Sequence, residues 1–234
     1  MSGKLSRRIF MLSAPLALGA CSATGRHIAD ATPAPAKKIN PYYLEMYGAI
    51  DSEPYPVKAS DISKIDPIYW RQIVAYPSSY TPGTLVVDLN NYFCYFVMED
   101  DQAIRYGVGI AENNTLNFSG DAIIGRKAMW PSWTPTPSMM RRLPERYGHL
   151  GGGMAPGPQN PLGPRALYLY RNGRDTLFRL HGTTEEWSIG KNVSSGCIRF
   201  LFQDIIDLYN RVTVGSKVVV IPRTTDHQQV AQQI

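Results

Sequence analysis

Only three cysteines and four histidines occur among 234 residues. Three cysteines cannot build the dense disulfide framework of a small secreted scaffold, so the fold must rest on a packed core. A hydrophobic content of 44% is enough to supply one. No C-x-x-C or H-x-x-x-H pair occurs, so a zinc site has no ligand set to start from. No apolar run reaches the roughly 20 residues that a membrane-spanning helix needs. The net charge of +5 is misleading, because residues 1–20 carry three basic groups and no acid, leaving about +2 without them. No Lys/Arg face interleaved with aromatics stands out, and nucleic acid is not expected as a partner.

What the chain does have begins with a leader. Lys4, Arg7 and Arg8 precede the short apolar stretch F10-M-L-S-A-P-L-A-L, the length of a signal-peptide core. It ends in L18-G-A-C21, which resembles a bacterial lipobox. That resemblance implies cleavage before Cys21, a diacylglycerol on its sulfur and a membrane attachment in the cell envelope, on the periplasmic side. S6-R-R-I-F-M also resembles a twin-arginine export signal. Residues 21–40 are small, polar and Pro-containing and read as a flexible tether, with His27 an inert passenger. Residues 41–82 are aromatic and Pro-rich and read as an N-terminal arm, with a helical candidate at D61-I-S-K-I-D-P-I-Y-W-R.

From Gly83 to Pro222 the pattern is that of a single domain, followed by a polar tail at 223–234. With 20 Gly and 18 Pro, turns are many and long helices few. T84-L-V-V-D-L, Y92-F-C-Y-F-V, I104-R-Y-G-V-G-I, A166-L-Y-L-Y, D175-T-L-F-R-L-H and K217-V-V-V-I-P are strand candidates. Q203-D-I-I-D-L-Y-N-R-V reads as a helix whose apolar stripe is Ile205, Leu208, Tyr209 and Val212. Residues 111–164 show no period and read as a wall or lid over a groove, with Trp130, Trp133 and Met154 as contact candidates and His149 solvated. Cys94, among strands, is expected to pack.

The two scarce residue types meet in H181-G-T-T-E-E-W-S-I-G-K-N-V-S-S-G-C197-I-R-F. A strand, a return loop and a second strand can bring His181 and Cys197 together. Cysteine beside histidine is a nucleophile–base pair, and the imidazolium would favour a thiolate at neutral pH. Gly196 allows a sharp turn whose N–H groups face one point, where they could stabilise an oxyanion. Arg199 could hold a substrate carboxylate or brace the loop.

H181-G-T followed by S194-S-G-C-I-R199 resembles the active-site signature of the L,D-transpeptidase (YkuD) family. N160-P-L-G and V212-T-V-G-S-K-V-V-V are similar to that family too, and the resemblance covers roughly 83–222. It implies a mainly β sandwich with few short helices, acting on peptidoglycan stem peptides without metal or cofactor. Cys197 would be the nucleophile and His181 the general base. The backbone N–H groups of Ser195, Gly196 and Cys197 would form the oxyanion hole. Arg199, Gly182 and Ser194 would bind substrate or brace the loop. The acyl group of a tetrapeptide stem would pass from sulfur to an amine, either of a second stem or of a protein lysine, with a lipoprotein among the candidate acceptors. Two positions depart from the family's commonest pattern. Ser195 stands where some members have histidine, and Phe202 where many have asparagine. Competing readings are an L,D-carboxypeptidase on the same scaffold, a non-catalytic wall-binding lipoprotein and a sortase-like enzyme. The short histidine-to-cysteine spacing argues against the last.

Overall fold

The computed structural model describes residues 38–224. The leader, Cys21, most of the tether with His27, and residues 225–234 lie outside the described residues. The first described element is α1 (Pro41–Met46), capped by the Asn40 side chain. Then come β1 (Gln72–Ala75), β2 (Leu85–Asp88), β3 (Phe93–Val97), β4 (Gln102–Gly107), the short β5 (Ile110–Ala111) and β6 (Gly120–Met129). Two small helices, α2 (Pro137–Arg142) and α3 (Pro144–Tyr147), precede β7 (Arg165–Arg171) and β8 (Arg174–Gly182). β9 (Asn192–Ser194), β10 (Ile198–Phe200), α4 (Phe202–Arg211) and β11 (Lys217–Ile221) complete the domain.

Nine strands form one sheet in the order β1-β4-β3-β2-β11-β6-β7-β8-β10, and β5 pairs with β9 apart from it. β2 lies near the middle and reads Leu-Val-Val, all three fully buried, as expected of a strand covered on both faces. The sheet folds over on itself. Tyr106 on β4 meets Phe200 on β10 edge-on at 6.2 Å, although the two strands lie toward opposite ends of the order. Just after β4, Gly109 exchanges backbone hydrogen bonds of 2.8 and 2.9 Å with Arg199. The mainly β fold with short helices is as the sequence implies, and the layering comes from one curled sheet. Ile205 and Leu208 of α4, with Val212 just after it, close the core between the layers.

Three elements differ from the sequence reading. β6 is a ten-residue strand within the stretch that shows no period. A bulge between Ile124 and Arg126 breaks its alternation, and Gly125 lies directly against the Tyr170 ring, where a Cβ has no room. The helical candidate at 61–71 is two separate single turns, Ile62–Lys64 and Pro67–Tyr69. Pro67 keeps Asp66 out of helical geometry, which stops the first turn from continuing. The arm also does more than pack: its residues 72–75 enter the sheet as β1, antiparallel to β4.

Residues 38–71 are locked to the start of α4 by a buried polar cluster. The Gln203 side-chain amide donates to the carbonyls of Tyr47, Gly48 and Lys58 at 3.0–3.2 Å, and its oxygen accepts from Ser60 Oγ at 2.8 Å. Tyr47 Oη donates to Asp204 (3.1 Å) and accepts from the Arg71 N–H (2.6 Å). Asp204 is fully buried, and burial pushes its carboxyl up to about 7.

Candidate active site

The strand register assembles two rows of side chains on one face of the sheet. Arg126, Tyr168 and Arg179 are cross-strand partners on β6, β7 and β8. β10 runs parallel to β8 with Ile198 opposite Leu180, so the preceding residue, Cys197, falls beside Arg179. The second row is Ala128, Ala166, His181 and Arg199. Alternation sends Leu167, Leu180, Ile198 and Phe200 to the core, where each is at most 3% exposed. Both rows therefore point the other way. His181 and Cys197 become neighbours because two parallel strands carry them on one face, which the long return loop permits.

The turn before Cys197 is closed by its own side chains. Ser194 Oγ donates to the Cys197 carbonyl at 2.7 Å and accepts from the Gly196 N–H at 3.3 Å. Gly196 has φ +143° and approaches the Leu116 carbonyl so closely that an added Cβ would lie 3.2 Å from it. Of the three N–H groups expected to converge, that of Gly196 is turned to Ser194. No acceptor for the Ser195 or Cys197 N–H occurs among the described residues. From above, Arg142 donates to the Ser195 carbonyl at 3.2 Å, and Tyr147 Oη lies 3.0 Å from Ser195 Oγ.

His181 is 6% exposed, and its Nδ1 lies 2.6 Å from the Gly182 carbonyl. A carbonyl only accepts, so Nδ1 carries the proton and Nε2 is the basic nitrogen. Phe202 packs its ring over Gly182 and Gly163; a Cβ on Gly182 would come within 2.8 Å of it. The residue that departs from the family pattern thus covers the peptide that orients the imidazole. Arg199 is paired with Glu185, 2.6 Å away but out of line for a hydrogen bond, and Arg146 reaches the same carboxylate at 3.5 Å. Its charge is already matched, which is a bracing arrangement.

Burial pushes the Cys197 thiol up, against the Arg179 N–H and the Arg179 and Arg199 charges that pull it down. Burial also holds His181 down to about 4, helped by the same two arginines and opposed by the Gly182 and Pro161 carbonyls. Both shifts favour a neutral thiol beside a neutral imidazole. The sequence led to an ion pair. The difference arises first because burial disfavours the charged form of both groups, and then because the imidazole faces two cations and gains no carboxylate partner.

Cys197 lies where two clefts meet. One, of about 290 Å³, is walled by His181, Arg199 and Glu185 and by Trp133, Tyr147 and Met154. The other, of about 640 Å³, lies over the Arg126–Tyr168–Arg179 row and shares Ser195, Gly196 and Cys197 with the first. Trp133 and Met154 join the wall, as their sequence context suggests. Trp130 instead is buried and donates its indole N–H to Glu53 at 2.9 Å. His149 is exposed and lines neither cleft. Cys94 is fully buried on β3, with its thiol pushed far up by burial alone. Among the described residues no three His, Cys, Asp or Glu side chains gather as metal ligands. Sequence reasoning missed Tyr147, Arg142, Glu185 and Arg126. Glu185 lies within the quoted histidine-to-cysteine stretch but carries no signal of its role, and the other three are brought in only by the register and the folding back of 130–160.

The family model for the L,D-transpeptidase catalytic domain, YkuD, matches residues 82–220. A putative L,D-transpeptidase encoded in the ATP synthase region of Fuscovulum blasticum is 31% identical over 221 residues, covering 94% of this chain and 100% of its own. The probable L,D-transpeptidase ErfK/SrfK of Escherichia coli K12 is 34% identical over 140 residues, covering 58% of this chain and 43% of its own. The match thus spans less than half of that longer relative. A solved structure from Brucella melitensis, described as a probable carnitine operon oxidoreductase, is 43% identical over 69% of this chain and 99% of its own, with a TM-score of 0.46. A shape likeness of that size bears on neither fold nor function.

Proposed function

Since the chain belongs to the YkuD family of L,D-transpeptidase catalytic domains, we propose that it is a cysteine-dependent acyltransferase acting on tetrapeptide stems of peptidoglycan. The observation that carries this reading is the placement of Cys197 and His181 as neighbours on one sheet face, at the junction of two clefts. Cys197 sulfur attacks the carbonyl carbon of the third stem residue while its proton passes to His181 Nε2. The N–H groups of Cys197 and Ser195, which lack acceptors, face the charge that develops on the carbonyl oxygen. The C–N bond to the terminal D-alanine then breaks, and His181 returns the proton to the departing amine. An incoming amine reverses these steps and frees the thiol.

The neutral resting pair fits this sequence of events. Proton transfer accompanies attack, so the base must be unprotonated beforehand, and a histidine held to about 4 is unprotonated at neutral pH. The same reading places the chain in the cell envelope, lipid-anchored at Cys21, on the strength of the L18-G-A-C21 motif. Mass analysis of muropeptides incubated with the protein, wild type against Cys197→Ala, tests the chemistry. New cross-linked or exchanged stems are expected from the wild type alone, and equal products from both would end the assignment. Detergent partitioning of Cys21→Ser against wild type tests the anchor.

A further inference from the structure

The larger cleft is lined by four arginines, Arg126, Arg141, Arg142 and Arg179, and by no acidic side chain. Two of them are spoken for. Arg179 makes a bidentate pair with Asp175 at 2.7 and 2.9 Å. Arg142 holds the Ser195 carbonyl. For Arg126 and Arg141 no carboxylate lies within ion-pair distance among the described residues. Arg126 is nonetheless fixed in place: its guanidinium stacks 3.5 Å above the Tyr168 ring, while Arg179 contacts the same ring at 4.2 Å. A stacked guanidinium has its in-plane donors free, and those donors suit a carboxylate. Holding several cations around one cleft is unfavourable until an anion enters.

Position supplies the rest. The row Arg126–Tyr168–Arg179 leads across three strands directly to Cys197. The smaller cleft, on the His181 side, has its arginines Arg146 and Arg199 both turned to Glu185. Those two arginines share one carboxylate and leave one charge unmatched, whereas the four of the larger cleft have only Asp175 and leave three, so positive charge is greater on that side of the sulfur.

We propose that the Arg126–Arg141 cleft is the acceptor subsite and that it selects amines carrying a carboxylate on the neighbouring carbon, in preference to isolated amines such as a lysine side chain. This rests on the acyltransferase reading above. The acceptor nitrogen bonds to the thioester carbonyl carbon, the C–S bond breaks, and one N–H proton passes through His181 to the sulfur. The carboxylate stays unreacted against Arg126 and Arg141, which aims the amine at the thioester.

The test uses the full chain, a tetrapeptide stem as donor, and D-alanine or D-alaninamide as acceptor. The two acceptors differ only in the carboxylate. Mass spectrometry reads the acyl-enzyme formed with donor alone, and then the transfer products. The wild type should use D-alanine at least about 10-fold better, the size expected of charge-assisted hydrogen bonds. The double variant Arg126→Ala/Arg141→Ala should lose that preference through a raised KM for D-alanine, and Arg126→Lys/Arg141→Lys should recover part of it. A general disturbance of the fold would lower both acceptors alike, so the ratio reports the subsite alone. Acyl-enzyme formation with equal use of the two acceptors, or a preference that survives in the alanine double variant, would overturn the subsite and leave the acyltransferase intact. No acyl-enzyme from any donor would overturn both.

Discussion

Two of the places where the described residues bury ionisable groups, around Asp204 and around His181, are built to opposite ends. Around Asp204 the groups close on one another: Tyr47 and Arg71 serve the carboxylate, and neighbouring Gln203 is satisfied by four contacts. None of these residues lines either of the two clefts described above. Around His181 the imidazole is fixed on one side by Gly182, and both it and Cys197 line a cleft. Burial shifts groups in both places, so a shifted group alone does not mark a reactive site. What separates them is unspent hydrogen-bonding capacity directed into a cleft.

The comparison is sharpest when each place is damaged in turn. His181→Ala should cost roughly 10²–10⁴-fold in acyl transfer, the usual worth of a general base, with little change in unfolding free energy. Activity and urea-unfolding curves on the same sample check it, and a large loss of stability with modest loss of activity would reverse the roles. Asp204→Ala should do the opposite. It should lower stability by about 1–3 kcal/mol, because it strips Tyr47 and Arg71 of a buried partner, while leaving acyl transfer per folded molecule nearly intact.

The pH dependence of the two should also differ in sign. His181 sits at about 4 when folded against 6.5 for the free group, so the unfolded chain takes up its proton first as pH falls. Stability held above 6.5 is lost on the way to 4. Asp204 sits at about 7 against 3.8, so stability held below 3.8 is lost as pH rises toward 7. Taken from pH 7 to pH 5, the wild type should lose ground to His181→Gln and gain ground on Asp204→Asn. Denaturation midpoints at the two pH values measure this, and shifts of one sign would mean that one group has been misread.

Smaller effects test the neutral pair and its loop. Alkylation of Cys197 by iodoacetamide in the free protein should show no thiolate plateau at neutral pH and should rise above the pH of an ordinary thiol, because burial pushes the thiol up. Cys94, fully buried, should stay unlabelled until unfolding. A fast plateau near pH 6 would restore the ion pair. Ser195→Ala should lose less than about 10-fold, since the Tyr147 contact is one neutral hydrogen bond and the backbone N–H remains.

The Cys197–His181 pairing was legible because it lies in a contiguous motif with few competing residues of either kind. Strands such as β2 and β4 were legible by composition and by alternation. β6 was not, since its bulge at Ile124/Arg126 breaks the period. The β7–β8 hairpin carried an unused signal in Asn172-Gly173, both at positive φ (51° and 74°). Tyr147, Arg142 and Arg126 were out of reach for another reason. Their neighbours are set by sheet register and by a long connection that folds back, neither of which is written locally.

Cys197 is carried at the start of β10, a strand of three residues at the end of the sheet order, held by β8 on one side and by the Gly109 bridge on the other. Few backbone bonds need break for that strand to leave. Local opening there costs less than global unfolding, although it unburies Ile198 and Phe200, and it separates the sulfur from His181 and from the turn that presents it. The fraction of competent molecules is then governed by the fraying of one short edge. Amide exchange at Ile198–Phe200 and loss of turnover should rise together on warming, while the Leu85–Val87 interior remains protected.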